Sequence, residues 1–397
     1  MSKARLVLDL TPLATPGGAR GIGRYIRELA LGLASLSADE LAPIELVGLT
    51  GLQWTGRYAI TSDLAAFVEA GQPRLLDTRD YYSWAYRQRF LMWNALRKLE
   101  AKAVHIGDPH ATPRLLSLSG VRKIVTCHDL IPVRFPDHYM SLKDGGPSVG
   151  HWIQKQRFRS AHTVVAVSDA TKSDVCSLLG VSPERVVRVY NGVAVERWTR
   201  PSVLDARAVL SRHGLLERCF VLYVGGADWR KNIEGMMAAI ARVRAEGHDV
   251  LLAFAGHLES GPAARVESLA RAAGIQSSIR LLGFVNDDEL LVLYRSALAH
   301  LLVSRLEGFG LTVVEAMASG CPVITTAAGS LGEVAGDAAL TVGAEDVEAV
   351  AAGIVRLIVE PGFGEALRAR GRERAPRFSR AIQARETLAV YKRVLQI

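Results

Sequence analysis

The sequence predicts an α/β protein of two domains, each built on a sheet of parallel strands. Short apolar segments rich in Val, Ile and Leu alternate with longer segments of helical spacing along most of the chain. Continuous apolar runs are typical of strands buried on both faces, and the alternation indicates right-handed β-α-β crossovers. The length of 397 residues exceeds what one hydrophobic core usually serves, so we expect two domains.

The predicted strands fall into two series, separated by the turn signal Asn191-Gly192 and a polar stretch that follows it. We predict an N-terminal domain over residues 1–195 and a second domain over 196–376. Residues 377–397 are predicted as a C-terminal helix that packs back on the first domain. The predicted strands of the two series are residues 6–10, 44–49, 123–127, 163–167 and 186–189, and then 220–224, 250–255, 279–282, 299–303 and 322–325.

Composition argues against several classes of protein. No apolar run approaches the roughly 20 residues of a membrane-spanning helix, and the apolar start of the chain is too short for a signal peptide. The four cysteines form no C-x-x-C pair, which argues against a zinc site or a disulfide framework and favours a reducing cytoplasm. We expect no nucleic-acid partner.

The net charge of +8 lies in the first half of the chain, where residues 1–200 hold 26 Lys and Arg against 18 Asp and Glu. This excess suits an anionic partner, such as a phosphate, an acidic glycan or the inner face of a membrane; a solvated basic surface is the alternative. Residues 81–102 are aromatic and basic. The helical spacing of Met92, Leu96 and Leu99 favours a helix packed on its own sheet over a membrane-surface helix.

The strongest chemical signal lies in residues 304–320, which follow an apolar strand and open a helix. Gly308 and Gly310 allow close approach of a ligand, and the amides of Phe309, Gly310 and Leu311 at a helix N-terminus suit a diphosphate. Glu307 and Glu315 bracket this position, and carboxylates accept hydrogen bonds from sugar hydroxyls. The alternative is a capping box over residues 312–315, in which Glu315 only satisfies backbone donors.

Two adjacent cations, Arg230 and Lys231, follow a strand and the pair Gly225-Gly226. Cations are disfavoured at a helix N-terminus, so their position indicates a role with an anion, such as a leaving diphosphate. No D-x-D motif with acidic neighbours is present, and we predict that no metal is required.

The N-terminal domain offers further candidates after its strands. His128 follows the strand 123–127, at the end where α/β sheets bind ligands. The glycine-rich stretch 17–25 contains Gly23 and Arg24, but its spacing does not complete a dinucleotide fingerprint, so a nicotinamide cofactor is not expected. Asp108 and His110 follow another strand-like stretch and are candidates for an acceptor pocket, or for a proline-flanked turn.

Taken together, these motifs resemble those of the large retaining GT-B glycosyltransferase family of the group 1, or GT4, type. Residues 307–315 match its E-x7-E signature, and residues 223–232 resemble its G-x-x-x-x-R-K-N turn. Residues 127–132, 189–193, 283–285 and 329–333 resemble four further motifs, so the resemblance covers the whole chain. Thr312 and Gly332 stand where many relatives carry proline, and these departures remove no reactive group.

The resemblance implies two Rossmann-like, doubly wound domains facing across a cleft. It also implies a retaining transfer of a hexose from a nucleotide diphosphate sugar to a glycan or lipid-linked acceptor. Its mannosyltransferase-like branch suggests GDP-mannose, with UDP-sugars as an alternative. Three alternative functions remain: a non-catalytic nucleotide-sugar-binding protein, a nucleotide-sugar epimerase and a phosphorylase.

Carried over residue by residue, the resemblance assigns three groups of candidates. Glu307, Arg230, Lys231 and His128 are the catalytic ones, and Arg24, Asp108 and His110 are acceptor candidates. The donor-binding residues are Gly23, Gly226, Val285, Ser304, Phe309, Gly310, Leu311 and Glu315.

Overall fold

The structure is a computed structural model that divides into two compact units. Unit 1 comprises Met1–Val193 together with Ser379–Ile397, and unit 2 comprises Ala194–Phe378. The residues that the structure describes are 3–14, 18, 21–51, 58–70, 92–108, 120–139, 152, 155–258 and 260–397.

The described strands of unit 1 form a single sheet. They are β1 (Ala4–Asp9), β2 (Ile44–Gly51), β3 (Tyr58–Thr61), β4 (Ala103–Ile106), β5 (Arg122–Cys127), β6 (Thr163–Ala166) and β7 (Val186–Arg188). Their order is β3-β2-β1-β4-β5-β6-β7, and every pair is parallel except β2 with β3. The expectation of purely parallel sheets is therefore wrong at this edge. Only residues 52–57 separate β2 from β3 along the chain, whereas a parallel pair needs a crossover connection of about a dozen residues or more.

Helices cover the sheet of unit 1 and supply part of its core. They include α1 (Gly21–Ala34), α2 (Ala38–Leu41), α3 (Leu64–Glu69), α4 (Ile131–Arg134), α5 (Pro136–Tyr139) and α6 (Asp169–Leu179). The helical segment 92–98 places Met92 and Leu96 in the hydrophobic core, with Leu99 packed against it. This part of the predicted helix therefore packs on its own domain; residues 81–91 lie outside the described residues.

Unit 2 has a parallel sheet with the same strand order as a doubly wound nucleotide-binding fold. Its strands are β8 (Cys219–Val224), β9 (Val250–Ala255), β10 (Ile279–Gly283), β11 (Ala299–Leu302), β12 (Val323–Thr326) and β13 (Leu340–Val342). They are ordered β10-β9-β8-β11-β12-β13, so the chain order reverses between β8 and β11. All residues of β9, β11 and β12 are buried, which explains why these strands appear as continuous apolar runs in the sequence, whereas the edge strands β10 and β13 are only partly buried.

The helices of unit 2 follow its strands in regular alternation. They are α7 (Val195–Thr199), α8 (Ala206–Arg212), α9 (Ile233–Ala245), α10 (Ser260–Ala272), α11 (Asp287–Ser296), α12 (Leu311–Ser319), α13 (Leu331–Ala335), α14 (Val347–Val359) and α15 (Pro361–Arg374).

The last helix, α16 (Arg380–Leu395), belongs to unit 1 and packs against α1. A Cβ added at Gly32 of α1 would lie 2.7 Å from the Arg380 carbonyl oxygen, so the two backbones approach closely there. The buried face of α16 includes Ala384, Thr387 and Tyr391, whereas Ile382 is 38% exposed. Among the described residues, no helix is long and apolar enough to cross a lipid bilayer.

Candidate functional site

The candidate site of unit 2 lies where its strand order reverses. The segments that follow the neighbouring strands β8 and β11 leave the sheet at this point, and β9 and β12 lie on opposite sides. Ligands of open α/β sheets bind outside the carboxyl ends of the strands at such a reversal. Arg230 and Lys231 come from the segment after β8, and Ser304 and Glu307 come from the segment after β11.

These four predicted residues meet at the Glu307 carboxylate. The Lys231 Nζ lies 2.5 Å from Oε1, and the Arg230 Nη1 lies 2.6 Å from Oε2. The Ser304 hydroxyl donates a hydrogen bond of 2.8 Å to Oε1. One carboxylate therefore joins two cations and fixes their positions relative to each other.

The local sequence explains how the two cations come to lie there. Residues Trp229–Lys231 form a 3-10 turn capped by the Asp228 side chain, which accepts a hydrogen bond from the Arg230 amide. Asn232 follows in a left-handed conformation (φ 52°) and caps α9. The cations therefore precede the helix instead of occupying its first turn, which removes the unfavourable interaction with the helix dipole.

Three further hydrogen bonds hold the segment after β8, two of them to the segment after β11 and one to the segment after β13. The Asn232 side-chain amide donates to the carbonyl oxygens of Val303 (3.3 Å) and Ala344 (2.6 Å). The Arg305 amide donates to the carbonyl oxygen of Arg230 at 2.7 Å. The sequence analysis assigned no role to Asn232, although an asparagine directly before an apolar-periodic segment is a helix-cap signal.

The two cations beside Glu307 change the pKa of its carboxyl more than its burial does. Glu307 is only 8% exposed, and burial alone would raise the pKa of its carboxyl. The neighbouring Lys231 and Arg230 reverse this effect and hold the pKa of Glu307 at about 2. Burial lowers the pKa of the Lys231 ammonium, and the Glu307 carboxylate acts in the opposite direction. Glu307 is thus an ionised partner for both cations across the whole neutral range.

Helix α12 begins beside this cluster. Gly310 is its N-cap, with φ 106° and no side-chain hydrogen bond to the first turn. The amides of Leu311 and Thr312 have no acceptor within the described part of the chain. Ser330 supports the loop because its hydroxyl donates to the Phe309 carbonyl oxygen at 2.8 Å. The loop therefore presents a helix N-terminus, with its partial positive charge, next to two cations.

The capping-box alternative for residues 312–315 does not form. Thr312 is the second residue of α12 instead of its cap, and its hydroxyl lies 3.2 Å from the His300 Nε2. Glu315 lies one turn into the helix with no exposed surface, and its Oε2 is 3.5 Å from the Tyr294 hydroxyl. Glu315 is therefore not engaged in capping the start of its own helix.

The remaining donor-binding candidates of unit 2 lie after neighbouring strands. Gly226 is exposed, accepts a 2.6 Å hydrogen bond from the Tyr223 hydroxyl, and has open space where a Cβ would be. Val285 is half-buried and follows β10, next to Phe284, which is 75% exposed. No contact joins Val285 to the Glu307 cluster within the described residues.

In unit 1, His128 lies directly after β5. Its Nε2 is 2.7 Å from the Gly107 carbonyl oxygen, which can only accept, so Nε2 carries the proton. Burial lowers the pKa of His128, although Gly107 and Asp108 oppose this effect. The imidazole is therefore neutral, with Nδ1 as an acceptor. The ring of Tyr25 packs edge-on against it at 4.8 Å between centroids.

The glycine-rich loop of unit 1 is described only in part. Gly23 is buried in the first turn of α1, and a Cβ there would lie 2.0 Å from the Gly18 carbonyl oxygen. Close backbone packing therefore already requires glycine at this position. Arg24 is half-buried on the same helix, and Asp108 is half-buried after β4. His110 lies outside the described residues.

Sequence reasoning missed a buried polar network beneath His128. The hydroxyls of Tyr25 and Thr126 are 2.9 Å apart, and His105 bonds Thr126 at 2.8 Å and the Tyr391 hydroxyl at 2.7 Å. Burial lowers the pKa of His105 to about 3, so its imidazole is neutral. Each member lies in an apolar segment, and only their pairing across α1, β4, β5 and α16 shows the network.

Asp9 is a second group that the sequence analysis did not select. It ends β1, beside the point where the strand order of unit 1 reverses. Its Oδ1 accepts from the Thr11 amide at 3.0 Å, whereas its Oδ2 has no partner among the described residues. Burial raises the pKa of Asp9 to about 6. The sequence signal that could have identified Asp9 is a carboxylate at the end of an apolar strand.

No group of three or more His, Cys, Asp or Glu side chains suited to a metal ion occurs in the described part of the chain.

Comparisons with known proteins identify the family of the chain. Residues 19–197 match the family described as Glycosyltransferase Family 4, and residues 212–376 match Glycosyl transferases group 1. The chain is 29% identical to an O-antigen chain mannosyltransferase B of Escherichia coli, over 98% of this chain and 99% of that protein.

Two solved structures share the fold. A sucrose-phosphate synthase of Thermosynechococcus elongatus aligns with a TM-score of 0.77 at 21% identity, over 99% of this chain and 100% of that one. Anabaena HepE, solved in complex with UDP-glucose, aligns with a TM-score of 0.74 at 15% identity, over 98% of each chain. Both expectations about fold class and enzyme class are confirmed: this chain has the GT-B fold and belongs to the group 1, family 4 glycosyltransferases.

Proposed function

We propose that this glycosyltransferase moves a hexose, with retention of configuration, from a nucleotide diphosphate sugar to a hydroxyl of a glycan or lipid-linked glycan. Our specific assignment of the donor is GDP-mannose. The observation that carries the proposal is that Arg230 and Lys231 both pair with Glu307, in the loop that leads to the Gly310 N-cap of α12. Two cations and a helix N-terminus stabilise the negative charge that develops on a leaving diphosphate.

Glu307 has two successive roles in this proposal. Without a donor, it neutralises Arg230 and Lys231 and keeps them 2.5–2.6 Å from its own oxygens. An arriving diphosphate supplies new anionic partners for both cations, which releases the carboxylate oxygens to accept hydrogen bonds from sugar hydroxyls. The site is therefore preorganised for a diphosphate and needs little rearrangement when it binds.

In the reaction step, the bond between the anomeric carbon and the diphosphate oxygen breaks, and the acceptor oxygen bonds to the same face of that carbon. The acceptor proton passes to the leaving phosphate oxygen. Arg230, Lys231 and the first amides of α12 stabilise the diphosphate as its charge grows. Glu315 holds the ribose, and Gly226 and Val285 flank the nucleotide.

In this proposal, residues of unit 1 contact the donor and the acceptor, and His128 does so as an uncharged group. Neutral His128 offers Nδ1 as an acceptor for a hydroxyl of the donor sugar, because its Nε2 proton is held by Gly107. Gly23 lies in the loop assigned to the donor, and Arg24, Asp108 and His110 are assigned to the acceptor. We also propose that the transfer needs no divalent metal, since Arg230 and Lys231 supply the positive charge.

The mannose assignment is supported by the E. coli relative, which is named as an O-antigen chain mannosyltransferase. The nucleotide-sugar assignment is supported by HepE, which was solved with UDP-glucose. Both assignments can be tested together by incubating the protein with GDP-mannose, UDP-glucose and ADP-glucose in turn, with and without mannose-terminated oligosaccharides.

The expected result is release of GDP only when GDP-mannose and an acceptor are both present, with an α-linked mannose in the product by NMR. Turnover with UDP-glucose alone among the donors would overturn the mannose assignment. A β-linked product would overturn retention. Conversion of a donor to its epimer without any acceptor would favour the epimerase alternative.

A further inference from the structure

Unit 2 contains a cavity of about 380 Å³ at the C-terminal end of α12, the end opposite the donor site. Helix α12 has nine residues, so its two ends lie about 12 Å apart along the axis. Three arginines line the cavity together with two hydroxyl side chains: Arg295, Arg368, Arg372, Thr199 and Ser319. They come from four helices, α7, α11, α12 and α15, that are distant in sequence.

The positive charge of this cavity is poorly balanced. Arg295 donates to two backbone carbonyl oxygens, those of Trp198 and Arg200, at 3.2 and 2.6 Å. Arg368 pairs with Glu365 at 3.4 Å, a carboxylate whose side chain is 74% exposed. Arg372 has no hydrogen-bond or ion-pair partner within the described residues. Of the three guanidinium groups, only that of Arg368 is paired with a carboxylate within the described part of the chain, and that carboxylate is exposed.

Only one of these three arginines, Arg368, caps the C-terminal end of α12. Arg368 donates to the Gly320 carbonyl oxygen at 2.7 Å, as expected of a cation at a helix C-terminus. Arg372 lies one turn further along α15 and makes no such bond. Burial lowers the pKa of Arg295, and the charge of Arg372 lowers it further, so the two guanidinium groups repel each other. An anion would convert this repulsion into attraction.

Ser319 gives an independent indication of a polar ligand. It is 8% exposed, and its hydroxyl has no hydrogen-bond partner within the described residues. A buried hydroxyl without a partner is uncommon because its desolvation is not compensated. In this cavity, the hydroxyl is available to an anion held by the arginines.

We propose that this cavity is a second anion site, which binds a phosphate group either as inorganic phosphate or as part of a phosphorylated small molecule. Arginine is suited to phosphate because its planar fork donates two parallel hydrogen bonds, and the hydroxyls of Ser319 and Thr199 add further donors. The site lies apart from Arg230 and Lys231, and it does not depend on the identity of the sugar donor.

The test uses the full chain carrying Lys231→Ala, which weakens anion binding at the donor site. Phosphorus NMR line broadening and isothermal titration measure binding of inorganic phosphate and of glycerol phosphate, at constant ionic strength in chloride. We expect saturable binding of at least one of them. Tighter binding of glycerol phosphate than of phosphate would assign the ligand to phosphorylated small molecules, and the reverse order to free phosphate.

Four second-site variants in that background locate the binding. Arg372→Gln should weaken it at least tenfold, and Arg372→Lys should weaken it less, because a charge remains without the bidentate fork. Arg370→Gln is the matched control, since Arg370 is exposed on the same helix and does not line the cavity. Ser319→Ala should weaken binding severalfold, with the fold checked by circular dichroism. Absence of saturable binding, or equal weakening by Arg370→Gln and Arg372→Gln, would overturn the proposal.

Discussion

The buried polar groups of the two units differ in charge: those of unit 2 are ionised and paired, whereas those of unit 1 are mostly neutral. In unit 2, the Glu307 carboxylate is paired with two cations, and the pKa of Glu307 falls to about 2. In unit 1, no cation from the described residues pairs with Asp9, and burial raises its pKa to about 6, while His105 and His128 are neutral. One sheet thus carries preformed charge, and the other carries mostly neutral hydrogen-bonding groups.

The two kinds of strand end are suited to two different ligand chemistries. A charged cluster is suited to a diphosphate, whose binding exchanges one set of ion pairs for another. Neutral imidazoles and hydroxyls are suited to sugar hydroxyls, which need donors and acceptors without charge. The comparison agrees with the proposed division, in which unit 2 binds the nucleotide diphosphate and unit 1 contacts sugar and acceptor.

The largest effect should come from Lys231→Ala. Removing one of the two cations from the diphosphate position should lower kcat by about 100-fold to 1,000-fold, because the lost interaction stabilises the leaving group. Release of nucleoside diphosphate measures the rate. Lys102→Ala, an exposed lysine of unit 1, is the control and should retain normal turnover. Near-normal turnover of Lys231→Ala would remove the charged cluster from the mechanism.

The next largest effect should come from Glu307→Gln, which leaves two partly buried cations without their carboxylate. We expect a loss of roughly 3 kcal/mol in the free energy of unfolding at neutral pH. The pKa of Glu307 is lowered on folding, so its stabilisation is present above about pH 4.5 and is lost as the pH falls towards about 2. Urea unfolding between pH 3 and 7 should show this loss in the natural protein and not in the variant. Parallel profiles would contradict the pairing.

Asp9→Asn should raise the free energy of unfolding at neutral pH, whereas Glu307→Gln should lower it. The pKa of Asp9 is raised on folding, so the natural protein loses stability as the pH rises from about 3.8 through about 6. The neutral amide does not incur this cost, and we expect the variant to gain about 1–3 kcal/mol at pH 7. Urea unfolding at pH 4 and pH 7 measures the difference, which should be small at pH 4. A variant that is less stable at pH 7 would show that the Asp9 carboxylate has a stabilising partner.

The smallest effect should come from Tyr391→Phe, which removes one hydroxyl from the neutral network of unit 1. Nδ1 of His105 would lose its partner, at a cost of about 1–2 kcal/mol in the free energy of unfolding. Because His105 is neutral, this cost should not change between pH 5 and 8. A strong pH dependence in that range would show that the network carries charge and would weaken the contrast with unit 2.

Sequence reasoning reached the fold and most of the unit 2 cluster for identifiable reasons. Buried parallel strands appear as apolar runs. Arg230 and Lys231 were identified as cations next to a predicted helix N-terminus, and Glu307 as a carboxylate next to a glycine-rich loop that opens a helix. Asp9, His105 and Tyr391 were missed because each lies in an ordinary apolar segment. Their significance depends on partners more than 100 residues away or on the depth of burial, which spacing along one chain does not encode.

The expectation of parallel strands throughout was wrong at the edge formed by β3. This strand was not predicted because its four residues, Tyr58–Thr61, include one aliphatic side chain larger than alanine, that of Ile60, and so form no continuous apolar run.

Binding of nucleoside diphosphates tests the central claim most directly. Thermal unfolding of the natural protein and of Lys231→Ala would be followed with GDP, UDP, ADP and NAD, each with magnesium and with a chelator. The account predicts that one nucleoside diphosphate, in our assignment GDP, stabilises the natural protein equally with and without metal, and that Lys231→Ala loses most of this stabilisation. Stabilisation that requires magnesium, or that is unchanged in Lys231→Ala, would contradict the claim that this charged cluster binds the diphosphate.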